Sequence, residues 1–134
     1  MKEMIYQKDR KIELLHNDIY KNYHYYILNL GTHPTAYVEI PKKSNLYGKN
    51  YNDIDIMCHY GLTYGRSELY TSENTKLDNS WFIGWDYAHC DDYCGYEESM
   101  PEFLQTKGKK WTTQEIIEEC KNVIEQIINL ESQV

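Results

Sequence analysis

The chain has 134 residues, with 14 Lys+Arg against 21 Asp+Glu and a formal charge of −7. That balance disfavours an extended polyanion, because a nucleic-acid domain carries a basic stripe, and the length suits one domain with a real core. No stretch approaches the roughly 20 apolar residues of a membrane span and the start has no apolar signal core, so the chain reads as soluble and unexported.

Lys11 to Tyr20 is ambiguous between helix and strand, and its β-branched and aromatic content favours strand. Tyr23 to Leu30 predicts a strand, Gly31 to Pro34 breaks it, and Thr35 to Ile40 predicts its antiparallel neighbour. Pro41 to Asp53 reads as a polar loop, and a further strand is expected over Ile54 to Tyr60, ended by Gly61. Tyr64 to Ser67 reads as a turn and Thr71 to Ser80 as a polar connection. Trp81 to Asp86, the most apolar run, predicts a central strand, followed by an acidic, cysteine-containing loop from Tyr87 to about Pro101.

The clearest element comes last. Thr112 and Glu115 have the spacing of a capping box, and Trp111 and Ile116 that of a hydrophobic staple. Ile116, Cys120, Val123, Ile127 and Leu130 then recur at helical period, with Ile117, Ile124 and Ile128 widening the stripe. Docking on the sheet of the same chain is the expected main role of this stripe, with a second chain sharing its far end. The predicted fold is α+β: a twisted antiparallel sheet from about residues 11–90, packed by a C-terminal helix at about 112–131, in a single domain spanning 1–134.

Four cysteines (Cys58, Cys90, Cys94, Cys120) read as reduced thiols, and no complete zinc set accompanies them. Asp53, Asp55, Asp86, His89, Asp91 and Asp92 supply hard donors of the kind a metal-dependent phosphohydrolase uses. No G-x-S-x-G elbow or glycine-rich phosphate loop is present. Lys107 to Lys110 precede the capped helix, where ammonium groups and first-turn amides suit a phosphate. Fourteen tyrosines stand against two phenylalanines, an excess that coding bias or ligand and subunit contact would each produce. A pocket for a small polar aromatic ligand follows: Tyr60, Tyr64, Trp81, Phe82 and Trp85 as faces, Asp86, His89, Asp91 and Asp92 as acceptors, Arg66 and the lysines as charge.

Four ordered motifs carry a resemblance: His33 to Pro41, Tyr47 to Asp53, His59 to Tyr64 and Trp81 to His89. Together they resemble a group of small phage proteins that includes the Thoeris anti-defence sponges. The resemblance implies a homo-oligomeric, non-catalytic binder without a cofactor. Such a binder sequesters a glycocyclic ADP-ribose made by TIR proteins in the cytoplasm of an infected or lysogenic bacterial host. The residues expected to contact the ligand are Phe82 and Trp85 for base stacking, Thr63 and Tyr64 for hydrogen bonds, His89 and Asp92 for ribose, and Lys109 for phosphate. Phe82 and Trp85 are three apart, so on a flat strand they face opposite ways unless a bulge intervenes or different subunits contribute. Tyr60 departs from the group by standing where a second glycine is expected before Gly61, and Trp85 by standing where Phe is usual. The alternatives are a metal-dependent phosphohydrolase acting on a small nucleotide and a structural phage oligomerisation protein.

Overall fold

The computed structural model describes residues 12–31, 33–89, 92 and 109–133. The strands, in chain order, are β1 (Glu13–Tyr20), β2 (Tyr23–Asn29), β3 (Pro34–Ile40), β4 (Tyr64–Arg66), β5 (Leu69–Ser72), β6 (Thr75–Leu77) and β7 (Trp81–Asp86). Lys21 and Asn22, at φ 50° and 73°, provide the two left-handed residues that turn β1 tightly into β2. A five-stranded sheet runs β1-β2-β3-β7-β4, antiparallel throughout, and β5 and β6 form a separate hairpin.

Helix α1 (Thr113–Glu131) starts where its capping chemistry puts it. The Thr112 hydroxyl accepts the Glu115 amide at 3.1 Å, and the Glu115 carboxylate accepts the Thr112 amide at 3.0 Å. Ile116, Cys120, Val123, Ile124 and Ile127 are all buried on one face of the helix. Each aliphatic side chain so buried contributes about 1.5–3 kcal/mol before entropy is charged.

Strand alternation gives the sheet two cores. Toward α1 lie Tyr25, Ile27, Ala36, Val38, Ile40, Ile83 and Trp85. The other face carries Tyr26, Leu28, Tyr37 and Phe82, with Leu69 of β5 packed on them. Gly84 lets the Tyr37 ring cross β7, since a Cβ there would lie 2.3 Å from that ring. Among the described residues, no helix is long and apolar enough to cross a membrane.

The α+β architecture and the strands over 23–29, 34–40 and 81–86 agree with expectation, as does β1. Residues 54–60 do not form a strand. Their alternation is real, with Ile54 and Ile56 buried and Met57 81 % exposed, but the segment's partner is the helix. Gln126 of α1 accepts the Met57 amide and donates to the Met57 carbonyl, both at 2.7 Å, imitating a neighbouring strand. The supposed turn at Tyr64–Ser67 contains edge strand β4, and the supposed polar connection 71–80 contains β6 and half of β5. Three- and four-residue strands are too short to show a period, and polar side chains suit their exposed faces. At the far end of the stripe Ile127 is fully buried in its own core, while Ile128 and Leu130 pack against that core and stay partly exposed. The loop from Tyr87 to about Pro101 lies mostly outside the described residues.

Candidate functional site

Where β7 leaves the sheet, the apolar core grades into a polar aromatic cluster. Trp85 and Tyr87, both buried, direct their indole N–H and phenol to one carboxylate oxygen of Glu119 on α1. The other Glu119 oxygen accepts the His59 amide at 3.0 Å, tying the 54–61 segment to the same anchor. The Tyr87 phenol is raised far above the usual range, by burial first and by its bond to Glu119 second. The His59 ring then stacks on Tyr87 at 4.7 Å and 13° and meets Trp111 edge-on at 4.9 Å.

Asp92 locks this arrangement. It is 2 % exposed, and its oxygens accept His59 Nε2 at 2.8 and 2.9 Å, Trp111 Nε1 at 2.8 Å and the His89 amide at 3.0 Å. Burial works to raise the Asp92 carboxyl, but the His59, His89 and Trp111 donors together outweigh it and hold it below the usual range. An ionised carboxylate only accepts, so His59 carries its proton on Nε2. The dyad therefore fixes both the tautomer and the orientation of His59.

Above the dyad lies a partly exposed rim. Tyr60, 56 % exposed, stacks on His89 with centroids 4.2 Å apart and planes 18° from parallel, and meets His59 edge-on at 4.8 Å. Asp86 accepts the Thr63 hydroxyl at 3.0 Å and lies 3.1 Å from His89 Nε2. That second approach lacks the alignment of a hydrogen bond, for His89 Nε2 has no hydrogen-bond partner among the described residues. Tyr60 has φ +57°, as the third residue of a turn closed by the Gly61 amide on the Cys58 carbonyl at 2.9 Å. Left-handed backbone at that place suits glycine, and a residue with a Cβ costs about 1 kcal/mol there.

Of the seven residues predicted to bind ligand, the fold brings Thr63, His89, Asp92 and Lys109 to this end of β7. Lys109 bridges Asp92 through its backbone, and its ammonium lies 3.9 Å from the Trp111 ring centroid. That ammonium is also paired with Glu115 at 2.8 Å, and the first helical turn already uses the Glu115 amide in its cap, so the phosphate role expected here meets competing internal partners. Of the other three, Trp85 lies in the buried base of this cluster, below the rim, and Phe82 and Tyr64 lie on the opposite face of the sheet. Phe82 and Trp85 are each 1 % exposed, in the two different cores. The β3–β7 register from Thr35↔Asp86 to Ile40↔Trp81 contains no bulge that could turn them to one side. Tyr64 packs edge-on against Tyr37 at 5.0 Å on the Phe82 face, and its hydroxyl donates to the Glu68 carbonyl.

His59, Trp111 and Glu119 were absent from the expected ligand set. Histidine in His59-Tyr60-Gly61 was the available signal; nothing in the spacing of residues 59, 92, 111 and 119 pairs them. The cleft at the far end of α1, 340 Å³ in volume, is lined by Tyr23, Pro41, Lys43, Ser44, Asn45 and Glu131 and includes none of the seven. Among the described residues, no group of three or more His, Cys, Asp or Glu is disposed to hold a metal ion. Asp91, Cys90 and Cys94 lie outside the described residues. Burial, and secondarily the Glu119 charge, push the Cys58 thiol up to about 12, so at neutral pH it is not the thiolate a nucleophile requires.

No protein-family model, curated protein or solved structure matches the chain.

Proposed function

We propose that this chain is a non-catalytic binding protein that sequesters a nucleotide-derived immune signal, a glycocyclic ADP-ribose made by TIR proteins, and so inhibits anti-phage defence in the bacterial cytoplasm. The observation that carries this reading is the convergence of Tyr60, Thr63, Asp86 and His89 on one rim above the locked His59–Asp92 pair. Aromatic faces suit a base, and a half-buried carboxylate suits ribose hydroxyls. Preorganisation supports binding, since rings already fixed by Asp92 and Glu119 lose little freedom when a ligand arrives. Saturation of Asp92 by internal donors also suits a positioning role better than proton transfer. Self-association belongs to the same reading, with the partly exposed far end of α1, at Ile128 and Leu130, as its contact.

The test is direct. The purified protein is incubated with the product of an active TIR enzyme, freed of unbound ligand and denatured by heat, and the supernatant is analysed by mass spectrometry. Recovery of intact ligand near one equivalent per site is expected. Steady conversion of the ligand to a new mass, abolished by a chelator, would overturn the reading in favour of a metal-dependent hydrolase.

A further inference from the structure

We propose that Tyr60 is a ligand-stacking residue, the platform on which the planar ring of a nucleotide rests. The inference builds on the binding reading above and assigns a contact that the seven predicted residues omit.

Three observations combine. First, the backbone of Tyr60 is left-handed at φ +57°, next to Gly61 at φ +84°, in a turn that glycine would occupy without strain. An aromatic residue at such a place opposes the local preference of the chain. Second, the ring gains little shelter in return, for the residue remains 56 % exposed, whereas the aromatic residues Trp85 and Tyr87 just beneath are almost completely buried. Third, the ring is oriented rather than loose. It lies on His89 at 4.2 Å and 18°, with His59 against it at 4.8 Å and 84°. The His59 imidazole is held in turn by Asp92, and the His89 backbone is tied by its amide to the same carboxylate. Strain, exposure and fixed orientation together mark a functional side chain.

The surroundings specify the ligand class. Stacking is tolerant of which base is offered, because every base presents a π face. Asp86, one short step from His89 and bonded to Thr63, is an acceptor beside the platform that fits a ribose diol. The class is therefore a nucleoside or nucleotide with an unmodified ribose, and a 2′-deoxy analogue should bind more weakly.

The experiment measures binding and folding on the same samples. The parent, Tyr60→Phe, Tyr60→Leu and Tyr60→Gly are titrated with AMP and with 2′-deoxy-AMP by NMR chemical-shift perturbation, and each is melted by circular dichroism. Tyr60→Phe is expected to bind AMP within about twofold of the parent, and Tyr60→Gly and Tyr60→Leu about tenfold more weakly, as loss of one base–aromatic stack implies. The glycine variant is expected to melt at the parent temperature or slightly above it, since it relieves the left-handed strain. Parent-like AMP binding by Tyr60→Gly overturns the inference. A lowered melting temperature together with lost binding also overturns it, by making Tyr60 a structural residue. If AMP binds as expected while no TIR product is captured, Tyr60 keeps its role and the immune-signal reading falls. If TIR product is captured equally by the parent and Tyr60→Gly, the reverse holds. A parent that binds neither overturns both.

Discussion

The two sides of the sheet are made from the same strands, yet they end in different chemistry. On the helix side, core side chains run without interruption from Ile83 through Trp85 and Tyr87 to His59, Asp92 and the exposed rim. On the hairpin side, Tyr26, Tyr37 and Tyr64 close a smaller core around Phe82, and their hydroxyls find local partners such as Glu39 and the Glu68 carbonyl. The difference lies in what the helix adds. Glu119 is a carboxylate set between a buried indole, a buried phenol and the turn bearing His59, so the polar cluster is anchored to the buried core beneath the helix. Among the described residues, no carboxylate ties the hairpin to buried aromatic side chains in this way. Rigid support beneath a polar rim is what a selective binding site requires.

Substitutions on the two sides should therefore separate folding from binding. The largest effect is expected at Ile127, fully buried beneath α1. Ile127→Asp should cost more than about 4 kcal/mol and abolish the cooperative thermal transition; a folded monomeric variant would instead make Ile127 an assembly contact. Next, Phe82→Ala should lower stability by about 3–4 kcal/mol in urea unfolding while leaving ligand uptake per folded molecule unchanged. Uptake lost by a fully folded Phe82→Ala protein would return that ring to the site and erase the distinction between the sides.

Asp92→Asn is expected to cost about 2–3 kcal/mol at pH 7, since an amide confronts three donors with a donor of its own. Its pH dependence has a definite sign. The Asp92 carboxyl is lower in the folded chain than in the unfolded one, so its contribution is full above the unfolded value near 4 and disappears as pH falls through the folded value. Urea midpoints of parent and variant should thus draw together as pH falls below about 4, and a gap that does not narrow at all on acidification would count against Asp92 as an ionised lock. The smallest effect belongs to the helix start. Thr112→Ala should cost about 1 kcal/mol by calorimetry, with the rim unaffected.

The elements that could be read from sequence were those whose signals are local. Thr112 and Glu115 announce a helix start by a three-residue spacing, and Tyr23 to Ile40 is rich in β-branched and aromatic residues interrupted by Gly31 to Pro34. Residues 54–60 alternate for a reason that a strand and a helix-backed extended segment share, so the period could not identify the partner. The site divides in the same way. Strand parity already set Phe82 against Trp85, and the unbroken β3–β7 register upholds that separation. Thr63, His89, Asp92 and Lys109 could be named as polar groups of the right kind. The central role of His59 could not, because it comes from Asp92, Trp111 and Glu119, which reach it from three distant parts of the chain.

The Gln126 amide that holds Met57 has a kinetic consequence. Among the described residues Met57 is the most exposed large hydrophobic, yet its backbone N–H and C=O are both engaged by one helix side chain. Gln126 is itself steadied by Asn122 one turn earlier, at 2.8 Å. The Met57 amide proton can therefore exchange with solvent only when the Gln126 side chain lets go. Its exchange rate times the release of the loop from the helix, the same loop whose next turn presents His59 and Tyr60.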